Sequence, residues 1–477
     1  MAVQTTELAV VGAGPGGYAA AFLAADLGMQ VTLIDPKPHP GGVCLYHGCI
    51  PSKALLHVAK VIDEARQAAR WGVRFGEPAI DLARLRAWKE EVVGRLTAGL
   101  GELCRRRQVT YLQGRARLRD ATTLAVQTEE GEEQHVRFAH AILATGSQPA
   151  TLPEVPMASP RVLTSTSALA LSELPRSLLV IGGGYIGLEL GSVYAALGTR
   201  VTVVEVTEGL LPGVDRDLVS VLARRLERQF EAILLNTRVV AAQETPEGLR
   251  VTLVGPDGRE GQQVFERVLV AVGRRANSAG LGLEATRVEV DARGVVRVDA
   301  QRRTAEPTLY AIGDLTGEPM LAHKAAHEGR VAVEAIAGRR VAFEPRAIPA
   351  VVFTEPEIAW CGLTETQARQ QQRRVEVARF PWAASGRAVT LDRPEGLTKL
   401  LIDPDSERVL GVGIVGSGAG ELIAEGVLAV EMAALATDLR LCIHPHPTLS
   451  ETVMEAAEVF FGQSTHLYRP PARARAT

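Results

Sequence analysis

Cysteine is scarce in this sequence, five among 477 residues. So few thiols in so long a chain exclude a secreted scaffold stapled by disulfides. Three of them, Cys104, Cys361 and Cys442, stand singly, so no second close pair completes the four ligands that structural zinc takes. Long apolar runs are lacking too. None approaches the ~20 residues of a membrane span. Excess charge is also missing: a net charge of -3 and a pI near 6.4 give no general pull toward nucleic acid or an anionic membrane surface. Residues 1–7 carry no basic stretch followed by an apolar run and a small-residue cleavage site, so no export signal is expected and the cytoplasm is the expected location.

What is present is enough for large cores. A chain of 477 residues exceeds a single core and is expected to form two or three domains. Its hydrophobic content of 46% and mean hydropathy of +0.08 suit a chain with substantial interiors.

Two strings carry the same device. An apolar run at 8–11 leads into Gly12-Ala13-Gly14-Pro15-Gly16-Gly17, an alanine-rich helix and a second strand, 31–34, that ends at Asp35. Gly12 allows the tight turn, Gly14 lets backbone approach a pyrophosphate, Gly17 permits close helix packing, and Asp35 can accept from a ribose hydroxyl. The pyrophosphate is expected at the helix N-terminus, where free amides and the dipole favour negative charge. The pattern recurs as strand 177–181, Gly182-Gly183-Gly184-Tyr185-Ile186-Gly187, a helix through Ala196, strand 200–204 and Glu205. In both strings the acid lies 23 positions after the first glycine. An acid there repels a 2'-phosphate, so Glu205 points to NAD rather than NADP, and the first site is expected to take another dinucleotide. Strand 141–145 followed by Gly146 and Ser147, and strand 308–313 ending at Asp314, either contribute to the rim of the first site or are ordinary strand-to-loop turns.

Cys44 and Cys49, with four residues between them in Gly41-Gly42-Val43-Cys44-Leu45-Tyr46-His47-Gly48-Cys49-Ile50-Pro51-Ser52-Lys53, follow directly on the first unit. Gly48 permits a sharp turn and Pro51 suits a first helical position, which places Cys49 at the mouth of a helix with Lys53 close by. Both features favour the thiolate. The pair therefore reads as a redox dithiol, against a zinc site or two inert core thiols.

The remaining chain reads as a charged helix at 82–108, a β-meander at 122–138, a proline-rich linker at 148–160 and an exit strand at 267–273. A third, α+β domain is expected from near Ile348, with strands 351–353, 398–402 and 409–415 and a helix at 421–435. The polar, basic tail from Gln463 reads as a loose end. Within the third domain His444, His446 and Glu451 sit in a proline-pinned turn before a helix. His446, with Glu451 holding its other nitrogen, is either an acid-base group or a surface residue beside a helix start.

Together these strings resemble the flavin-dependent pyridine nucleotide-disulfide oxidoreductases. The resemblance covers nearly the whole chain and rests on 12–17, 44–53, 145–147, 182–189, Ala271-Val272-Gly273-Arg274-Arg275, 310–314, Met320-Leu321-Ala322-His323-Lys324 and 444–451. It implies an α/β fold of two Rossmann-like dinucleotide-binding domains, for FAD and NAD, plus a C-terminal α+β interface domain that forms a homodimer. The implied division is 1–147 for FAD binding, 148–273 for NAD binding, 274–345 as a central region completing the FAD domain, and 346–477 as the interface domain. The implied activity is oxidation of protein-bound dihydrolipoamide to lipoamide through a Cys44/Cys49 redox disulfide and FAD, with reduction of NAD+ to NADH. The implied partners are the lipoyl domains and acyltransferase core of 2-oxo-acid dehydrogenase complexes. No lipoyl domain precedes Leu8, so the substrate is expected on another protein.

Carried over by position, Cys44 is the interchange thiol and Cys49 the thiol that contacts the flavin. Lys53 pairs with Glu189 beside the ring, though without the resemblance the two read as unrelated helix-surface charges. His446 of one subunit, oriented by Glu451, serves the disulfide of the other. FAD is expected on Gly12, Gly14, Gly17, Asp35, Gly42, Val43, Lys53, Gly114, Thr145, Gly146, Ser147, Asp314, Met320, Leu321, Ala322 and His323. NAD is expected on Gly182, Gly184, Tyr185, Ile186, Gly187, Glu189, Glu205, Val239 and Gly273, with Tyr185 as an aromatic gate, and no metal is implied. The sequence departs from the family pattern at Tyr46-His47, where Asn-Val is usual, at Asp35, where Glu is usual, and at Ala276, where Pro is usual. Glutathione reductase is opposed by Glu205 and by Ser52-Lys53, and mercuric reductase by the lack of any cysteine after Cys442. A transhydrogenase or NADH oxidase reading is opposed by the cysteine pair, and a non-catalytic flavoprotein scaffold by the full set of catalytic candidates.

Overall fold

The structure, a computed structural model, describes residues 3–468. The basic tail expected to be a loose end lies outside the described residues from 469 onward. The chain divides into two compact units: Met1–Val58, Phe75–Leu174 and Leu269–Glu344 form the first, and Ala59–Arg74, Pro175–Val268 and Pro345–Thr477 the second.

In the first unit five strands run parallel in the order Thr110–Asp120, Val31–Asp35, Val3–Val11, Glu133–Leu143 and Leu309–Ala311. The two longest continue past the parallel part and pair antiparallel with Thr123–Thr128, forming the expected meander. Side chains alternate across a strand, so Val3–Val11 feeds two cores. Leu8 and Val10 pack with Ala20, Ala21 and Ala24 of the helix Pro15–Asp26. Ala9 and Val11 pack with Leu124, Val126, Val136 and Phe138 of the meander. The alanines keep the helix thin, and the helix Ala322–Ile336 crosses it so closely that a Cβ on Gly329 would lie 2.7 Å from the Gly16 carbonyl. The charged helix is Leu82–Arg106, shorter than expected because Gln108 turns left-handed, φ 55, and Val109 N–H donates back to Cys104.

In the second unit the repeated motif gives parallel strands in the order Ala232–Leu234, Arg200–Val204 and Ser177–Ile181. The antiparallel ribbon Arg238–Thr245, Gly248–Val254 and Glu260–Phe265 follows, and the exit strand is Arg267–Val270. The α+β part is an antiparallel sheet in the order Ala350–Val352, Glu357–Gly362, Val409–Gly416, Leu397–Ile402 and Glu376–Pro381. Helices Ala419–Glu431 and Glu451–Phe460 cover it, over a core that includes Phe380, Trp382, Ile414 and Val453. The first of these helices stops at Glu431 rather than 435: Ala433 is left-handed, φ 55, and Ala434 and Ala436 bond with Val409 and Glu407 instead. Among the described residues no helix is long and apolar enough to cross a membrane.

Candidate active site

The two glycine loops are built alike. Gly12 N–H donates to the Ile34 carbonyl and Ala13 N–H to Asp35 Oδ2 at 2.8 Å; Gly182 N–H donates to Val204 and Gly183 N–H to Glu205 Oε2 at 2.7 Å. Each acid therefore fastens its own loop to the end of the next strand. Asp35 also accepts from Lys37 N–H at 2.9 Å, and burial, opposed by these two amides, raises its carboxyl above the ordinary value. Glu205 holds the Thr207 amide and hydroxyl on its other oxygen, both at 2.8 Å. A carboxylate has about four acceptor sites, so each acid retains capacity for a ribose hydroxyl.

The space around the glycines shows where a dinucleotide fits. A Cβ on Gly17 would lie 1.8 Å from the Gly12 carbonyl, and one on Gly187 2.2 Å from the Gly182 carbonyl, so the third glycines are closed by backbone. The middle glycines face open space: a Cβ on Gly14 meets nothing nearer than Gly42 Cα at 3.9 Å, and one on Gly184 nothing within 4 Å. Behind each lies a 12-residue helix without a side-chain cap or an acid in its first turn, Pro15–Asp26 and Tyr185–Ala196. Amides left unpaired beside a bare glycine suit a pyrophosphate.

The rim of the first site is bonded together. Thr145 Oγ1 donates to the Asn277 carbonyl, Asn277 Nδ2 returns a bond to the Thr145 carbonyl, both at 2.9 Å, and Asn277 N–H donates to Gly146. Ser147 Oγ donates to Asp314, and Arg274 Nε donates to Ser147 Oγ at 2.7 Å. Gly273 precedes the short strand Arg274–Ala276, which pairs with Ser147–Pro149, so it too stands in the first unit. Below Asp314, Glu328 is fully buried and accepts from Gly313 N–H at 2.6 Å and Arg302 Nη1 at 2.9 Å, while Lys324 Nζ donates to the Gly317 carbonyl at 2.9 Å. Sequence reasoning missed Glu328 and Arg302. The available signal was helical spacing: Lys324 and Glu328 lie four apart on one face. Met320 and Leu321 lead into the helix that Ala322 and His323 begin. Gly114 lies in a strand where a Cβ would come within 2.7 Å of Gln127 and Val126.

The cysteine pair sits against this loop. Gly41 N–H donates to the Ala13 carbonyl at 2.8 Å, and Gly42, at φ 56, approaches so closely that a Cβ would lie 2.5 Å from Gly14 Cα. Val43 and Cys44 belong to the short helix Gly42–His47, and Cys49 opens the helix Cys49–Gln67. Between them a Cβ on Gly48 would meet the Val43 carbonyl at 2.9 Å, so only glycine lets the two helices close on each other. Both cysteines are thiols here, Cys44 half-buried and Cys49 exposed. A hydrogen bond to Cys49, then burial, pushes the Cys44 thiol far above its ordinary value. Burial and then the two thiols also raise the hydroxyl of Tyr18, a neighbour of the pair that sequence reasoning did not single out. At the departure Tyr46-His47 from the family pattern, Tyr46 donates to the His39 carbonyl at 3.1 Å, and burial lowers His47 below its ordinary value. Lys53 is half-buried in the first unit.

In the second unit Glu189 is buried on the helix Tyr185–Ala196, and its Oε1 accepts from Phe353 N–H at 3.0 Å. Tyr185 is exposed at the first position of that helix, with Ile186 beside it. Val239 is a buried strand residue opposite Leu253. His446 Nδ1 lies 2.9 Å from Glu451 Oε1, and Thr448 N–H donates to Glu451 Oε2 at 2.7 Å. Burial would raise the Glu451 carboxyl, but the Thr448 amide and His446 outweigh it and hold it below the usual carboxylate range. The imidazole side chain is 72% exposed and its carboxylate partner 20%. That arrangement fixes one ring nitrogen and presents the other outward.

Comparison with known proteins gives two family matches: pyridine nucleotide-disulphide oxidoreductase over residues 6–329, and the dimerisation domain of the same class over 348–457. Dihydrolipoyl dehydrogenase of Haemophilus influenzae is 48% identical over 470 residues, covering 98% of both chains. Its counterpart from Thermus scotoductus is 44% identical over 467 residues, covering 98% of this chain and 99% of that one. Among solved structures, LpdA from Mycobacterium tuberculosis superimposes with a TM-score of 0.88 at 29% identity, covering 95% of this chain and 99% of that chain. The HOCl-induced flavoprotein disulfide reductase RclA from Escherichia coli, as its Cu(II) complex, gives 0.86 at 27%, covering 96% and 99%.

Proposed function

The chain belongs to the pyridine nucleotide-disulphide oxidoreductases, and on that premise we propose that it acts as a dihydrolipoyl dehydrogenase, with FAD and NAD as its cofactors. The observation that carries the reading is the Cys44–Cys49 pair, held by Gly41 and Gly42 against the open side of the first glycine loop. Near-full-length identity to dihydrolipoyl dehydrogenases selects the substrate class.

In the forward direction the enzyme starts with Cys44 and Cys49 joined. His446 of a second copy takes a proton from a dihydrolipoyl thiol through its outward nitrogen, while Glu451 holds the inner one. The resulting thiolate attacks the Cys44 sulfur, forming a mixed disulfide and releasing Cys49 as thiolate. The second lipoyl thiol then attacks the first lipoyl sulfur, closing lipoamide, and passes its proton to Cys44 as that sulfur leaves with the electron pair, while the first proton stays on His446 and Cys49 remains the thiolate. What the bound dinucleotides supply is a two-electron acceptor for the dithiol and a hydride acceptor on which the pair leaves as NADH. FAD fits the residues around Gly14, Asp35, Ser147 and Asp314, and NAD those around Gly184 and Glu205. Lys53 and Glu189 are assigned to positioning the electron path.

The chain carries the family's dimerisation domain, and the assembly is a homodimer. Leu428, Met432, Leu441 and Ile443 expose large apolar side chains within those residues, Ile443 to 99%, which supports a face covered by a second copy. We assign 1–147 to FAD binding, 148–273 to NAD binding, 274–345 to completing the FAD part and 346–477 to the interface. The grouping of 269–344 with the first glycine motif in one unit supports the return of the chain to that part. The lipoyl group is brought by an acyltransferase of a 2-oxo-acid dehydrogenase complex, in the cytoplasm, where a dithiol can cycle.

The test is initial-rate NAD+ reduction by dihydrolipoamide in wild type, Cys44→Ser and Cys49→Ser, with NADH oxidation by an artificial acceptor as control. The expected result is that both variants lose the first reaction and keep the second. Sustained dihydrolipoamide-dependent NADH formation in Cys49→Ser overturns the proposal.

A further inference from the structure

A cavity of about 250 Å³ in the second unit is lined by five arginines, Arg70, Arg224, Arg225, Arg228 and Arg393, against three carboxylates, Glu355, Asp392 and Glu395. None of these residues belongs to the glycine loops, the cysteine pair or the His446–Glu451 pair.

Carboxylates answer Arg70, Arg225 and Arg393 in part and leave Arg224 and Arg228 without an ion pair among the described residues. Glu355 is engaged by Lys60 at 3.1 Å and reaches Arg393 only at 3.9 Å. Asp392 lies 3.7 Å from Arg70, and Arg225 is paired with Asp63. Arg393 is 8% exposed and spends its fork on neutral acceptors, Gln67 Oε1 at 2.7 Å and the Asp392 carbonyl at 3.1 Å. Arg224 and Arg228 stand one turn apart on the helix Arg216–Gln229 and make no ion pair among the described residues. Like charges four apart on a helix repel, so this face costs stability unless an anion answers it. Guanidinium forks match phosphate oxygens two at a time, and a fork fixed by burial, as at Arg393, loses little freedom on binding. The volume sits just below the common range of ligand clefts, roughly 300–1,000 Å³, and suits a diphosphate better than a whole dinucleotide.

We propose that this arginine-lined cleft is a binding site for a small phosphate-dense anion, with a diphosphate as the recognised group. It is separate from both dinucleotide loops and does not depend on the disulfide relay.

Calorimetric titration of the FAD-loaded dimer, with NAD+ present to fill the second glycine loop and ionic strength fixed near ~0.15 M, tests it with inorganic pyrophosphate and with ADP as probes. Saturable binding at one site per protomer is expected, weakened at least ~10-fold in Arg224→Gln/Arg228→Gln because two charge-assisted contacts are lost. Tighter binding of ADP identifies the source as a nucleotide; equal or tighter binding of pyrophosphate identifies a free small phosphate. Both substituted residues are exposed, so unaltered dihydrolipoamide oxidation in the variant shows that it is folded. Absence of saturable binding, binding unchanged by the double substitution, or equally tight binding of citrate overturns the proposal.

Discussion

The 2.9 Å contact between His446 Nδ1 and Glu451 Oε1 sets what each residue can do. The Glu451 carboxylate favours the tautomer that carries its proton on Nδ1, which leaves Nε2 as the acceptor. His446→Gln keeps a polar side chain but no base, and dihydrolipoamide oxidation is expected to fall by roughly 10²–10⁴-fold while NADH oxidation by an artificial acceptor persists. Stopped-flow comparison of the two reactions checks this. Glu451 also has a signature in stability. Its folded carboxyl is held below the usual range, so its contribution is present above the ordinary carboxylate pKa and is lost as pH falls through the lower folded value. Glu451→Gln is therefore expected to lower the thermal midpoint at neutral pH and to leave it nearly unchanged in acid, below the folded value, so that the rise of the midpoint with pH on the acid side flattens.

One glycine from the cysteine string and one from the second glycine loop have opposite surroundings. Gly42 is pressed on Gly14 at a positive φ, whereas Gly184 faces open space. Gly42→Ala is expected to push the short cysteine helix off the glycine loop and lower the flavin-to-protein absorbance ratio of the purified enzyme. Gly184→Ala is expected to fold normally and to weaken NAD+ at least ~10-fold, because the added methyl fills the space an anion approaches; an unchanged KM for NAD+ contradicts the cradle. Elements defined by local chemistry were legible: strands 177–181 and 200–204, with Glu205 following, stand where glycine spacing and apolar runs put them. Element ends fixed by left-handed non-glycine residues, Gln108 and Ala433, were not, since neither side chain announces that conformation. The partners beneath the rim, Arg302 and Glu328, were missed for another reason. They meet only through the fold, 26 positions apart in the chain.

Across the second unit one buried cation joins distant segments. Lys399, 1% exposed, lies 2.7 Å from Asp215, 2.7 Å from Asp217 and 2.8 Å from Glu365, and Arg379 also bonds to Asp217 and Glu365. The three acids lie within 4.8 Å of one another. The lysine thus neutralises a cluster drawn from the nucleotide-motif segment and from the C-terminal sheet. Lys399→Met removes that charge while keeping the stem, and is expected to cost ~3–5 kcal/mol, the usual consequence of leaving buried charge unpaired. Calorimetry should show the unfolding transition at lower temperature, with the loss smaller in acid, where the carboxylates are protonated. The relay itself is tested most directly by anaerobic titration of the oxidised, FAD-loaded enzyme with dihydrolipoamide, quenched by a thiol alkylator and read by peptide mass. The expected result is one lipoamide per protomer with Cys44 and Cys49 both passing from protected to alkylated, and return of protection with one NADH when NAD+ is added. NADH formed from dihydrolipoamide while both cysteines remain in one state throughout would contradict the account.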